Sequence, residues 1–211
     1  MGSERKRTRL AAADRREQLL DVAAAIALDS GLLALSMESV AQRAGVSKGL
    51  GYAYFENADA LALALYDREV GELYRRVEAA VSAAGDFEAR IRAGVRTYLD
   101  VVAERGALIG VLEVRMQGRW LRRSGRKRVG QFIAFWASEI ERELGVPPEV
   151  ASALAAAKTS AVDALSRSAR RRKLPRAQIE ELCVQFSLGG LEAAQDFGLH
   201  AKVDPKRRSR T

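Results

Sequence analysis

The chain has 211 residues but only one cysteine, one histidine and four prolines. Each scarcity closes off a class of protein. Cys183 has no partner for an internal disulfide, and its apolar, helix-forming neighbours read it as a small buried side chain. A lone histidine, His200, leaves no metal-ligand spacing. No phosphate loop or nucleophile elbow appears either, so the usual catalytic constellations are missing. Glu139, Glu141 and Glu143 read as one solvated helix face and not as an acid/base pair. An enzyme is not expected, and no cofactor or metal is implied. No apolar stretch follows the basic start, and no run reaches about 18 apolar residues, so a cytoplasmic protein without membrane contact is expected. Strand-like alternation is absent, as is any repeat of roughly 20–50 residues.

What remains is apolar, helix-prone and basic. Hydrophobic residues make up 48% of the chain, enough to build a packed core. Alanine, leucine, glutamate and arginine dominate, residues that lose little side-chain entropy in a helix, so the fold class reads as all-α. The formal charge is +8, which favours a polyanionic partner, nucleic acid before membrane. It is clustered at Arg5, Lys6, Arg7 and Arg9, at Arg122–Arg128, at Arg167–Arg176, and at Lys206, Arg207, Arg208 and Arg210. Any one such block can equally be a solvated face.

Residues 1–13 read as a basic, mobile arm. A helix is predicted from Asp14 to Ser30, with Leu19, Val22, Ala23, Ile26 and Ala27 as its apolar stripe and Gly31 ending it in a left-handed conformation. Ser36 then caps a short helix, Met37 to Ala44, which Gly45 closes; Ser47 caps another, Lys48 to Phe55. Two short helices joined by a tight glycine turn make a helix-turn-helix. Val40, Ala41, Val46, Leu50 and Tyr54 are its expected core, and Phe55 is expected to pack with them. Asn57 caps a long helix to Ala84, with Leu61, Leu65, Val70, Leu73 and Val77 on its core side. Further helices are predicted over Asp86–Glu104 (stopped by Gly106), Ala107–Met116, Lys127–Leu144, Pro148–Arg170 and Pro175–Gly198.

The stretch Val40-Ala41-Gln42-Arg43-Ala44-Gly45-Val46-Ser47-Lys48-Gly49, followed by Tyr52-Ala53-Tyr54-Phe55, resembles the DNA-binding domain of the TetR (tetracycline-repressor) family. The resemblance covers roughly residues 14–62. It implies a helix-turn-helix DNA-binding domain over 14–58, a helical ligand-sensing and dimerisation domain over 59–200 and a basic tail over 201–211. Leu50 and Gly51 stand where the family often has threonine and leucine, Ala53 where it often has histidine, and Ala58 where a lysine commonly opens the next helix. The operator sequence therefore cannot be borrowed from relatives.

A recognition helix in the major groove presents its N-terminal side chains to base edges. Lys48 is the long donor there, suited to guanine O6 or N7, and Leu50 suits a thymine methyl. Gly49 and Gly51 permit close backbone approach. Ser36, Arg43, Ser47, Tyr52 and Tyr54 are assigned to phosphates, with Arg5, Lys6 and Arg7 of the arm adding contacts. With one clear base-reading donor per subunit, dimer symmetry and DNA shape are expected to supply part of the specificity.

The resemblance further implies that the last two helices of each subunit form a four-helix dimer interface. Ala153, Ala156, Ala157, Ala161 and Ala164 provide a small-residue face, Gly189 and Gly190 interrupt the last helix, and Ile179, Leu182, Phe186 and Leu191 supply apolar surface. Similar proteins line their ligand cavities with central helices, which here carry Tyr98, Leu112, Met116, Trp120, Phe132, Phe135 and Trp136, with Glu113 and Arg115 as candidate polar anchors. That lining favours a hydrophobic or aromatic ligand. The expected protein is a homodimeric repressor on a palindromic double-stranded DNA operator, released by its effector. The competing reading is a non-specific, nucleoid-type DNA binder without a ligand.

Overall fold

The computed structural model of the protein describes residues 2–115 and 121–196, with side chains over 12–112 and 127–194. Among them are eight α-helices and no strand: α1 (Gly2–Ser30), α2 (Met37–Ala44), α3 (Lys48–Tyr54), α4 (Ala58–Ala83), α5 (Phe87–Arg115), α6 (Leu121–Leu144), α7 (Pro148–Arg171) and α8 (Arg176–Asp196). A single 3₁₀ turn, Leu32–Ala34, joins α1 to the segment before α2. The all-α expectation holds.

Three helix boundaries differ from the sequence reading, among them the start of α6, which lies at Leu121 and not at Lys127. Helix α1 starts at Gly2 and not at Asp14. The Arg-, Lys- and Ala-rich lead has high helical propensity, so a helix can propagate through it without an apolar stripe. Gly106 does not stop α5, which runs through it to Arg115. Gly106 is not among the positive-φ glycines. Inside a helix, glycine costs only about 1 kcal/mol relative to alanine, less than the packing of its neighbours returns. Met116 and Trp120 lie outside the described residues.

The described residues of Met1–Leu73 and Val101–Arg128 make one compact unit, and those of Tyr74–Asp100 and Val129–Thr211 a second. In the first, α1 packs on α2, and α2 on α3. Leu19, Leu20, Ala23 and Ile26 of α1 are buried, as are Leu35, Met37, Val40, Ala41 and Phe55. Leu61 and Leu65 of α4 belong to the same unit and are fully buried. Each such leucine contributes about 1.5–3 kcal/mol through burial. Val46, Leu50 and Tyr54, expected in this core, are only half-buried.

In the second unit α7 and α8 pack along their lengths. The buried stripe of α7 is Ala151, Ala155, Lys158, Val162, Ser166 and Ala169, spaced three or four residues apart. Its last turn closes with Lys173 at φ 59, where Leu174 N–H donates to the Ala169 carbonyl and Lys173 N–H to that of Arg170. This pairing satisfies carbonyls that the end of a helix leaves open.

Candidate nucleic-acid interface

Helices α2 and α3 are placed by their ends. At the start of α2, Ser39 N–H donates to Ser36 Oγ at 3.0 Å, and Ser36 N–H donates to Ser39 Oγ at 3.0 Å. Ser39 O–H reaches back to the Ala34 carbonyl at 2.7 Å. This reciprocal capping box satisfies amides with no helical partner of their own. At the far end Gly45 adopts the left-handed conformation, φ 67 and ψ 31, and its N–H together with that of Val46 closes on the Gln42 and Ala41 carbonyls. A side chain at that φ would be strained. Ser47 then caps α3, accepting from Leu50 N–H at 3.2 Å. Gly31, expected in the left-handed helical region, instead has φ 76 and ψ 172. That combination is even more confined to glycine.

The exposed side of this unit holds most of the expected DNA contacts. Lys48, Gly49 and Tyr52 are exposed, Tyr52 at 48%. Space around a Cβ at Gly49 is open. Ser36 and Ser47 sit at the N-termini of α2 and α3, where backbone N–H groups and the helix dipole favour anions. Two of the cations are held by acids of their own chain. Arg43 Nη2 lies 2.7 Å from Asp29 Oδ2, and Lys48 Nζ lies 3.8 Å from Glu38 Oε2. Both pairs are solvent-exposed, hence weak and exchangeable. Arg5, Lys6 and Arg7 lie on α1, with side chains outside the described residues.

Gly51 requires a correction. It is buried, and a Cβ there would sit 3.3 Å from Met37 Cε. It lets α2 and α3 approach each other and does not face the exposed side. Phe55 is core, as expected, and the Arg16 guanidinium of α1 lies 5.3 Å from its ring centroid.

The second unit gathers four of the expected ligand residues. Phe132 stacks on Tyr74 with centroids 4.1 Å apart, and Phe135 meets Trp136 edge-on at 5.8 Å. Tyr98 O–H donates to Asp163 Oδ1 at 2.8 Å. Burial, then the nearby Asp163 carboxylate, pushes the Tyr98 phenol well above its ordinary value. Leu112 is buried in the first unit, while Met116, Trp120 and the side chains of Glu113 and Arg115 lie outside the described residues.

On α7 and α8, Ala153, Ala157, Ala164, Leu182, Phe186, Gly189 and Gly190 are exposed and Ala161 is half-buried. Ile179 points the other way, into the protomer, at 3% exposure. The sequence reading passed over Lys158. It occupies a core register of α7 between Ala155 and Val162, an anomaly visible in the periodicity.

A capped, glycine-closed helix pair on an all-helical chain defines a protein of the helix-turn-helix class. Residues 19–65 match the family described as bacterial regulatory proteins, tetR family. That match spans the helix-turn-helix and the start of α4. It is 37% identical over 101 residues to the "HTH-type transcriptional activator FasR" of Mycolicibacterium smegmatis, covering 48% of this chain and 46% of that protein. It is 28% identical over 104 residues to the "HTH-type transcriptional repressor NemR" of Escherichia coli (strain K12), covering 49% and 52%. The chain thus spans about half the length of the curated relatives it matches. A solved regulator structure from Pseudomonas aeruginosa PAO1 superposes with a TM-score of 0.70 at 18% identity, over 88% of this chain and 92% of that one. At that identity the likeness shows the fold.

Proposed function

We propose that the protein is a homodimeric, sequence-specific DNA-binding transcriptional regulator, a repressor released from a palindromic operator by a small hydrophobic or aromatic ligand. The observation that carries this reading is the α2–α3 pair. Its backbone amides are capped internally, and Lys48, Gly49 and Tyr52 stand exposed beside the start of α3. In the major groove Lys48 and Leu50 read base edges, while Ser36, Arg43, Ser47, Tyr52 and Tyr54 position the helix on phosphates, with Arg5, Lys6 and Arg7 adding to the electrostatic grip.

The exposed faces of α7 and α8, with Leu182 and Phe186 beside small residues, suit helix-on-helix packing against a second copy. Repression needs only that the dimer occupy a promoter, whereas activation needs a further surface for the transcription machinery. Effector binding favours a dimer whose recognition helices no longer match successive major grooves, about 34–36 Å apart. A coupling of about 1–3 kcal/mol changes operator affinity about 5- to 150-fold. Helix α4, whose residues belong to both units, is the natural carrier of that coupling.

Selection of binding sites from a randomised DNA pool at near-physiological salt tests the reading. An enriched palindrome with half-sites about one helical turn apart or somewhat more is the expected outcome. Strong, salt-sensitive binding without enrichment would replace it with the nucleoid-type alternative. A promoter-fused reporter then decides the sign of regulation.

A further inference from the structure

Lys158 is the only cationic side chain buried among the described residues, at 8% exposure. Its Nζ lies 3.3 Å from the ring centroid of Trp136, itself 1% exposed. Trp136 is held from behind by α5: a Cβ at Gly94 would fall 2.7 Å from Trp136 Cζ2. The indole therefore forms a fixed wall under the amine. No described carboxylate lies within ion-pair reach of Nζ. The titratable group that bears on the amine is the buried Cys183 thiol of α8, while four acids of α6, α7 and α8 have other partners: Asp163 with Tyr98 and Arg167, Glu139 with Arg90 and Arg142, Glu180 with Arg96 and Arg176, and Glu181 with Arg92. The following residue, Thr159, also keeps its Oγ1 buried without a hydrogen-bond partner among the described residues.

A buried ammonium needs an opposite charge or several hydrogen bonds, and the attraction of one aromatic face is smaller than its loss of hydration. We infer that Lys158, seated on Trp136, is the headgroup anchor for the effector, which is an amphipathic organic monoanion with an apolar body. One point charge suits a single carboxylate or sulfonate. A phosphate or other multiply charged group would call for guanidinium forks, and the arginines at the end of α7 are exposed, with bonds to Asp163, the Ser166 carbonyl and the Ser168 hydroxyl. Phe135, half-buried and edge-on to Trp136, offers apolar surface next to that ring for the apolar body. Burial pushes the Lys158 amine down to about 7, so an arriving anion also draws it back to the charged form.

This inference rests on the ligand-responsive reading above and narrows it to a chemical class. The test uses two fluorescent probes that share one arene, 8-anilinonaphthalene-1-sulfonate and its uncharged counterpart N-phenyl-1-naphthylamine, titrated into the full chain. The unmutated protein is expected to prefer the sulfonate about 10- to 100-fold. Lys158→Met removes that preference while keeping the neutral probe, and Lys158→Arg keeps much of it. Circular dichroism checks that each variant is folded. Equal affinity for the two probes in the unmutated protein, or an unchanged preference in Lys158→Met, would overturn the proposal and leave Lys158 a structural cation–π partner. Release of labelled operator DNA is read separately. Lys158-dependent binding of the sulfonate without DNA release upholds the anion site and sinks ligand-controlled regulation. DNA release that persists in Lys158→Met sinks the anion site and leaves regulation standing.

Discussion

Lys48 and Arg43 stand a few residues apart, and the proposed DNA-binding role asks different things of them. Each must first exchange an acid of its own chain, Glu38 or Asp29, for the nucleic acid. If Lys48 reads a base, Lys48→Ala costs about 1–3 kcal/mol on the selected operator and relaxes preference at one position. Arg43→Ala instead weakens all sequences alike and lowers the salt slope by about one. Titrations of operator and scrambled DNA at several salt concentrations separate the two, and identical behaviour would refute the division of roles.

Lys158 makes a prediction for stability as well. Its pKa falls from 10.5 to about 7 on folding, because burial disfavours the charge. Between those values the unfolded chain holds a proton that the folded chain lacks. Stability therefore rises with pH across that window, by at most about 1.4 kcal/mol per pH unit. Below about 7 both states are charged and the full cost of burial applies. Cys183 and Tyr98, raised from 9.0 and 10.0, act in the opposite direction above those values, so the clean window is pH 7 to 9. Urea midpoints at pH 7, 8 and 9 are expected to climb for the unmutated protein relative to Lys158→Met. Parallel curves would show that the amine keeps its proton.

At the scale of helices, two contacts decide how elements meet. Glu69 of α4 is 1% exposed and lies 2.9 Å from Arg68 Nη2 and 2.6 Å from Arg105 Nη1 of α5. Arg68 also reaches Glu17 and Asp21 of α1, at 3.2 and 2.7 Å. One buried carboxylate thus organises the arginines that tie α1, α4 and α5 within the first unit. Glu69→Ala removes the buried partner of Arg105 and one of three acids on Arg68 and leaves a void at a fully buried site, so it is expected to cost about 1–3 kcal/mol. Asp29→Ala, which breaks only an exposed pair, should cost under about 1 kcal/mol. Equal losses in urea unfolding would contradict the burial argument. In the second unit, Gly94→Ala sets a methyl against the Trp136 ring at 2.7 Å. The buried indole is backed directly by α5 and yields little towards it, so a loss of about 1–3 kcal/mol is expected despite the gain in helix propensity. A gain in thermal midpoint would show that the Trp136 wall gives way.

For the molecule as a whole, the proposed dimer supplies a direct test. Phe186 is 54% exposed and Leu182 43%, large apolar groups on a helix face left uncovered by the described residues. Phe186→Glu should convert dimer to monomer in sedimentation velocity and weaken operator binding, while helicity stays unchanged. A dimer that survives the substitution would place the interface elsewhere.

Helix ends and the helix-turn-helix were legible in the amino-acid order because their chemistry is local. Ser36, Gly45, Ser47 and Asn57 act on backbone groups within four residues, and that reach is set by helical geometry. Side-chain surroundings were not legible in the same way. Only packing between helices set Gly51 against Met37, turned Ile179 inward while leaving Leu182 and Phe186 outside, and gave Arg43 to Asp29 fourteen residues away. The periodicity of α7 puts Lys158 on the core stripe, but its seat on Trp136, away from any described carboxylate, exists only once α5, α6, α7 and α8 are assembled. Local hydrogen bonding follows from order along the chain, whereas the environment of a side chain follows from residues that only folding makes neighbours.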